Sequence, residues 1–501
     1  MTNQQMDDTY DLLVIGGGIN GAGIARDAAG RGLKVLLVEQ DDLASATSSW
    51  SSKLIHGGLR YLEQYEFSLV REALQEREVL LRLAPHIIRP LLFVLPHDAS
   101  MRPVWMIRIG LWMYDHLGGR ITLPGSKAVN FPHMEFSAGL KPDFRSGFVY
   151  SDCRVDDSRL TVANAMSARE KGATIATRTR FTAASRVEGA WQCEVEDVRT
   201  GAKRGVRAAG LVNAAGPWVR QVLDAIEGDR ITEQVRLVKG SHIIVRKVHS
   251  QGHAYILQNP DGRVIFVIPY EGRFSLIGTT DVSVGSIGEA ASITPVETDY
   301  LLAAVNRFLL KPLGEGDIVS TYAGVRPLYD DGTPNPSEIT RDYVLKVDDA
   351  AGKVPLLSVF GGKITTYRHL SEQALDKLTP YYASMKGAWT AQEALPGGDV
   401  RHFNAFRDEM HEKYPGLGRE LVESVVRRHG SRAPQVLGKA KQVADLGMNF
   451  GAGLTGREIE YLVAEEWAVT ADDILWRRTK CGLHLDAAQR GAVEAYMHSR
   501  A

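Results

Sequence analysis

Apolar positions along the chain follow three patterns. The first is a short unbroken apolar run that stops at small residues and passes into helical spacing. Leu12-Leu13-Val14-Ile15 enters Gly16-x-Gly18-x-x-Gly21, helical spacing follows over residues 22–29, and Val35-Leu36-Leu37-Val38 returns to Glu39. The pattern recurs at residues 210–218, an apolar strand that breaks at Ala214-Ala215-Gly216-Pro217. It recurs again at residues 356–366, where Phe360-Gly361-Gly362-Lys363 reads as a helix start continued through Leu370, Ala374 and Leu378. The second pattern is amphipathic helix. Leu69, Val70, Ala73, Leu74, Val79, Leu80 and Leu83 share one face of a helix over residues 67–83 that Pro85 closes, and residues 156–171 read as another helix. Strand-like segments follow at 173–177 and 192–198. The third pattern is short strands with turn punctuation at 235–238, 242–245, 254–257, 264–268 and 274–277, with Asn259-Pro260-Asp261-Gly262 as one turn. This predicts antiparallel sheet.

Three returns to one motif imply a single discontinuous nucleotide domain over residues 1–75, 145–232 and 352–385. The antiparallel sheet is then an inserted substrate domain over 76–144 and 233–351. Pro396-Gly397-Gly398 reads as a linker, and residues 390–501 as a helical C-terminal domain with a capping box at Thr455-x-x-Glu458 and a cap-like Thr470-x-x-Asp473. That domain shows no glycine-rich loop and no catalytic cluster, so a structural or interaction role is expected. The fold class is α/β plus α.

Length and charge narrow the function. A chain of 501 residues exceeds one ordinary core. With 59 Lys and Arg against 60 Asp and Glu, the formal charge is −1, which gives no general pull toward nucleic acid and makes any anion site local. Cys153, Cys193 and Cys481 are widely spaced, which argues against a disulfide framework or structural zinc and fits a reducing, cytoplasmic setting. No metal is expected. The opening residues 1–8 are polar and acidic, so no signal peptide is expected, and no apolar run approaches the ~18 residues of a membrane span.

The first glycine turn carries the chemistry. Gly16 permits the tight turn, Gly18 lets backbone approach a pyrophosphate, and Gly21 lets helix pack on strand, while the helix N-terminus supplies free N–H groups. Glu39 stands where a carboxylate accepts from a ribose diol and repels a 2′-phosphate, which favours FAD or NAD over NADP. A nicotinamide enzyme needs one such clamp. Three returns, the last ending in Lys363, suit the longer and permanently held FAD, with the lysine charge stabilising a reduced flavin. The hydroxyl-rich loop of residues 44–53 is suited to meeting phosphate.

Together with that turn, Ile55-His56-Gly57-Gly58-Leu59-Arg60-Tyr61, Lys239-Gly240-Ser241-His242, Gly278-Thr279-Thr280-Asp281, Gly324-Val325-Arg326-Pro327-Leu328 and Phe360-Gly361-Gly362-Lys363 resemble the FAD-dependent glycerol-3-phosphate dehydrogenases of the aerobic bacterial type. The resemblance spans nearly the whole chain and implies flavoproteins similar to D-amino-acid oxidase. It implies oxidation of sn-glycerol 3-phosphate to dihydroxyacetone phosphate, electrons passed to a quinone, and peripheral attachment to the inner face of the cell membrane. It leaves a homodimer open. FAD contacts are expected from Ile15, Gly16, Gly18, Ile19, Asn20, Gly21 and Glu39, and from Thr47, Ser48, Ser49, Ser51, Lys53, Leu54, Ile55, His56 and Gly57. Ala215, Gly216, Trp218, Gly361, Gly362, Lys363, Ile364 and Thr365 complete that set. By carry-over, Arg60, Arg326, Arg341 and Lys363 surround substrate and Tyr61 donates to it, because guanidinium forks match phosphate oxygens. His56 and His242 are both candidate bases for the C2 hydroxyl, and Arg326 and Lys363 stabilise the developing charge. Asp281 reads as a turn-closing residue more readily than as a partner for another side chain.

The segment Val104-Trp105-Met106-Ile107-Arg108-Ile109-Gly110-Leu111-Trp112-Met113-Tyr114 fits either a buried helix or a membrane-interface helix, and the buried one is the simpler expectation. Two other functions remain open: a soluble glycerol-phosphate oxidase that reduces oxygen, and a non-catalytic nucleotide-binding module.

Overall fold

The computed structural model describes residues 9–98, 101–119, 122–131, 135–290, 292–330 and 342–500. Among them, two large sheets are built from residues 9–360. The first runs in the order Val344–Asp348, Leu356–Phe360, Lys203–Asn213, Thr9–Ile15, Val35–Val38, Thr174–Ala176, parallel along this path except for the antiparallel edge pair Val344–Asp348 and Leu356–Phe360, and Lys203–Asn213 also extends antiparallel into Ala190–Asp197 and Thr179–Val187. All three predicted returns therefore lie side by side. The central strands are apolar on both faces because both are covered. Leu12 and Val14 face the helices Ile19–Gly30 and Tyr367–Leu378, while Leu13 and Ile15 face Trp191, Val195 and Leu223.

The second sheet is larger and mixed. Val235–Arg246, Phe274–Gly278, Val264–Tyr270 and Ala254–Gln258 pair antiparallel in that order, and Ala254–Gln258 then pairs parallel with Ile88–His97. Helix Pro295–Asn306 covers one face through Leu301 and Val305. On the other face Leu91, Phe93 and Tyr150 meet Leu74 of helix Phe67–Leu83 and Leu111 of helix Val104–Leu117.

Several expectations change. The predicted strands at 235–238 and 242–245 are one strand, Val235–Arg246, because Gly240 continues the ladder opposite Gly324. Strands Leu54–Ile55 and Ser146–Val155 belong to the second sheet and Val344–Asp348 to the first, so the two domains interleave beyond the boundaries drawn from sequence. Pro396-Gly397-Gly398 is a packed crossing, with Gly398 N donating to Leu395 O at 2.7 Å and Ser431 N to Gly397 O at 3.0 Å. The C-terminal domain is helical apart from a hairpin of Asn449–Gly451 and Leu454–Thr455. Thr455 caps helix Gly456–Glu466, but the Glu458 carboxylate turns to Arg428 and His429 instead of closing the box. Helix Val104–Leu117 buries only Leu111 and Tyr114 and leaves Trp105 and Trp112 each 62% exposed, which overturns the buried-helix expectation.

Candidate active site

The C-terminal ends of the parallel strands and one face of the second sheet enclose a cavity of about 570 Å³. Its first set of lining residues is the glycine turn. Gly16 has φ +109°, and a Cβ on Gly21 would stand 1.9 Å from Gly16 O, so each glycine is required by close backbone approach. Gly18 opens toward the cavity, where Ser48 Oγ accepts from Ile19 N at 2.9 Å. The Glu39 carboxylate accepts from Gly17 N at 2.7 Å and Asp41 N at 2.8 Å, each through a different oxygen. Each oxygen keeps lone-pair capacity for a diol.

The second set gathers around Lys363. Its Nζ lies 3.8 Å from the Tyr61 ring centroid. Arg60 also lines the cavity, and its side chain has no ion pair or hydrogen bond among the described residues. Arg326 pairs with Asp281 and donates from Nη2 to Thr279 Oγ1 at 3.2 Å and Thr280 O at 3.3 Å. Gly240 makes room for it, since a Cβ there would meet Arg326 Nη2 at 2.4 Å. His242 stacks on Tyr322, shares a 2.9 Å hydrogen bond between Nε2 and Ser52 Oγ, and buries an unpartnered Nδ1. Burial, then the charges of Arg326 and Lys53, hold its pKa well below the ordinary histidine value. Burial also lowers His56, with Asp152 opposing and Lys363 and Arg77 adding. Both rings are thus neutral near pH 7 and able to accept a proton.

Most of the expected residues meet here. Ile15, Gly16, Gly18, Ile19, Asn20, Glu39, Thr47, Ser48, Ser51, Leu54, His56, Arg60, Tyr61, Ala215, Gly216, Trp218, His242, Arg326, Gly361, Gly362, Lys363, Ile364 and Thr365 all line the cavity. Gly21, Ser49, Lys53, Ile55 and Gly57 stand behind its wall. The Lys53 ammonium is committed to Asp157 at 2.9 Å and Ser49 O at 2.7 Å, so this cation supports the loop from inside and does not face a phosphate. Lys363 precedes helix Tyr367–Leu378 by a turn, so it is not itself in the first helical turn. Asp281 is a partner for Arg326, contrary to the turn-closing expectation. Arg341 lies outside the described residues. Sequence reasoning passed over Ser52 and Phe266; Ser52 sat in the hydroxyl-rich loop already singled out, and Phe266 carried no local signal.

The residues fit FAD. The turn presents bare backbone, Gly361 and Gly362 are consecutive glycines at φ +79° and +102°, and Asn20 Oδ1 is a buried acceptor with no partner among the described residues. The family model for FAD dependent oxidoreductases matches residues 11–368. The chain belongs to that family. A second model, the C-terminal domain of α-glycerophosphate oxidase, matches residues 388–498. The chain is 54% identical to the aerobic glycerol-3-phosphate dehydrogenase of Escherichia coli K12 over 98% of its length and 97% of that protein. It is 51% identical to the D-erythritol 1-phosphate dehydrogenase of Brucella abortus, with 97% of both covered. The crystal structure of glycerol-3-phosphate dehydrogenase from Bacillus halodurans complexed with FAD superposes with TM-score 0.74 and 26% identity, over 98% of this chain and 94% of that one. This family member is therefore a flavoprotein oxidoreductase with FAD as its cofactor, and the non-catalytic module is set aside.

Proposed function

We propose that the chain oxidises sn-glycerol 3-phosphate to dihydroxyacetone phosphate and passes the electrons through FAD to a quinone. The observation that supports this most is one cavity that joins the cations Arg60 and Lys363 to two neutral imidazoles. The name of the Escherichia coli relative points the same way.

A phosphate monoester carries nearly two negative charges, and Arg60 meets it with a guanidinium that no carboxylate among the described residues neutralises. Lys363 adds charge and Tyr61 a hydroxyl donor. Arg326 contributes hydrogen bonds more than net charge, because Asp281 balances it. His56 takes the proton of the C2 hydroxyl. Its ring nitrogens have no hydrogen-bond partner among the described residues, whereas those of His242 meet Ser52 or are buried. His242, fixed against Tyr322, shapes the wall beside Arg326. Bound FAD would supply the hydride acceptor for C2. Glu39, the glycine turn and Asn20 would hold its nucleotide portion, and Gly361, Gly362 and Lys363 would lie along its remainder.

The electrons leave toward a lipid-borne quinone at the inner face of the cell membrane. Among the described residues no helix is long and apolar enough to cross a membrane. Helix Val104–Leu117 instead presents Trp105, Ile109 and Trp112 at helical spacing, with Arg108 beside them, a composition suited to lying in a lipid interface.

Anaerobic glycerol 3-phosphate should bleach the yellow protein, and a long-tailed quinone in vesicles should restore the colour. A spectrum unmoved by substrate removes this reading, and rapid peroxide formation in air without quinone turnover replaces it with the soluble oxidase. The 51% identical Brucella relative favours one second reading, in which the phosphopolyol is one carbon longer. The ratio of kcat/KM for D-erythritol 1-phosphate and sn-glycerol 3-phosphate separates the two.

A further inference from the structure

Asp42 follows Glu39, which lines the cavity beside the glycine turn, by three residues and is 1% exposed. It is gripped from the far end of the chain. Arg478 embraces it with both Nη atoms, at 2.6 and 2.7 Å, and Arg477 adds Nε at 2.5 Å. Both arginines come from the turn Asp473–Arg478 of the C-terminal domain. Arg478 is itself fixed by Glu466 O, to which Nε donates at 3.1 Å and Nη2 at 2.6 Å. Arg477 also pairs with Asp473, which takes Arg178 at 2.8 Å, and Arg178 N in turn donates to Asp41 O at 2.9 Å. The loop is thus held from both sides.

Its position reaches the cofactor turn directly. Glu39 accepts from Gly17 N, and Ala44 N donates to Gly17 O at 3.1 Å. The neighbouring loop is braced from the same place. Ser158 Oγ donates to Arg477 O at 2.8 Å and Lys480 Nζ reaches Asp156 at 2.9 Å, next to the Asp157 that holds Ser51 and Lys53. A buried ion cluster of this kind adds little stability over apolar packing of equal volume, since desolvation offsets attraction. What it supplies is direction: a bidentate fork fixes one carboxylate in one place.

We propose that the C-terminal domain is a brace for the cofactor-binding loop, with Arg477 and Arg478 as positioning residues that act on FAD through Asp42. A preorganised loop binds without the entropy cost of ordering. The proposal concerns cofactor affinity and is independent of which phosphopolyol is oxidised.

The test is flavin release from holoenzyme on serial dilution, read by recovery of FAD fluorescence, for Arg477→Gln, Arg478→Met and Arg478→Lys. The Kd for FAD should rise about tenfold or more in Arg477→Gln and Arg478→Met, and less in Arg478→Lys, which keeps charge but loses the fork. With excess FAD, kcat, KM and the thermal midpoint of Arg477→Gln should stay near wild type, whereas Arg478→Met, which leaves the buried Asp42 with one partner fewer, should also lose stability. Unchanged FAD affinity in folded Arg477→Gln overturns the proposal. So does a loss of affinity in Arg477→Gln accompanied by an equivalent loss of its thermal stability in excess FAD, which is the mark of a merely structural contact. If Arg478→Met does not fold, Arg477→Gln decides, its side chain being 14% exposed.

Discussion

Arg60 lines the cavity with a charge that no carboxylate among the described residues neutralises, so its removal should fall on the phosphate. Arg60→Ala should cost about 2 to 4 kcal/mol in kcat/KM for glycerol 3-phosphate, roughly 30- to 900-fold, with FAD retained. Steady-state kinetics beside the flavin spectrum checks this, and wild-type kcat/KM would move the phosphate site elsewhere. His56→Gln should lower kcat by about 10²- to 10⁴-fold, the usual span for a lost general base. Because burial lowers its pKa, the acid limb of the wild-type kcat/KM profile should lie below the ordinary histidine value of 6.5. An acid limb above 6.5, or a far larger loss in His242→Gln, reverses the assignment of the base. Glycine roles were legible at this scale because Gly16, Gly18 and Gly21 obey local backbone geometry. The fates of Lys53 and Asp281 were not, since their partners Asp157 and Arg326 lie 104 and 45 residues away.

At the scale of elements, periodicity located helix Phe67–Leu83 to the residue, whereas the partner of an apolar face is not encoded in its spacing. Helix Val104–Leu117 shows the difference. Its aromatic and aliphatic residues read as core, yet only Leu111 and Tyr114 are buried, Ile107 and Leu117 pack partly against the same cluster, and Trp105, Ile109 and Trp112 face outward. Trp105→Ser with Trp112→Ser should therefore leave turnover with a soluble dye unchanged while reducing flotation with anionic vesicles and turnover on a long-tailed quinone in them, because apolar area drives interfacial binding. Equal vesicle binding by the double variant would exclude this helix as the docking face. The long strand Val235–Arg246 makes the converse point. An internal glycine reads as a break, but cross-strand pairing with Ile318–Tyr329 carries the ladder through Gly240 and gives Arg326 its space.

At the scale of the whole molecule, burial sets how stability responds to acid. His86 and His253 are pushed down to about 3 and His249 to about 4, chiefly by desolvation. Each takes up a proton on unfolding once the pH is below about 6.5, so stability is full above that value and falls as pH drops toward the folded-state values. At pH 5 each should have removed about 1 to 2 kcal/mol relative to pH 7.5, measurable as a fall in the urea midpoint. A flat midpoint across that window contradicts the buried neutral state. The sequence by itself determined the dinucleotide turn, the three returns to one sheet, the FAD preference and the chemistry of an anion-binding cavity, because each rests on residue types at short fixed spacing. Only the tertiary structure decided which cations face the cavity, which strands cross between the two sheets, that Trp105 and Trp112 stay outside, and that Arg478 meets Asp42 across 436 residues. These depend on desolvation and on contacts between distant segments, which no local pattern specifies.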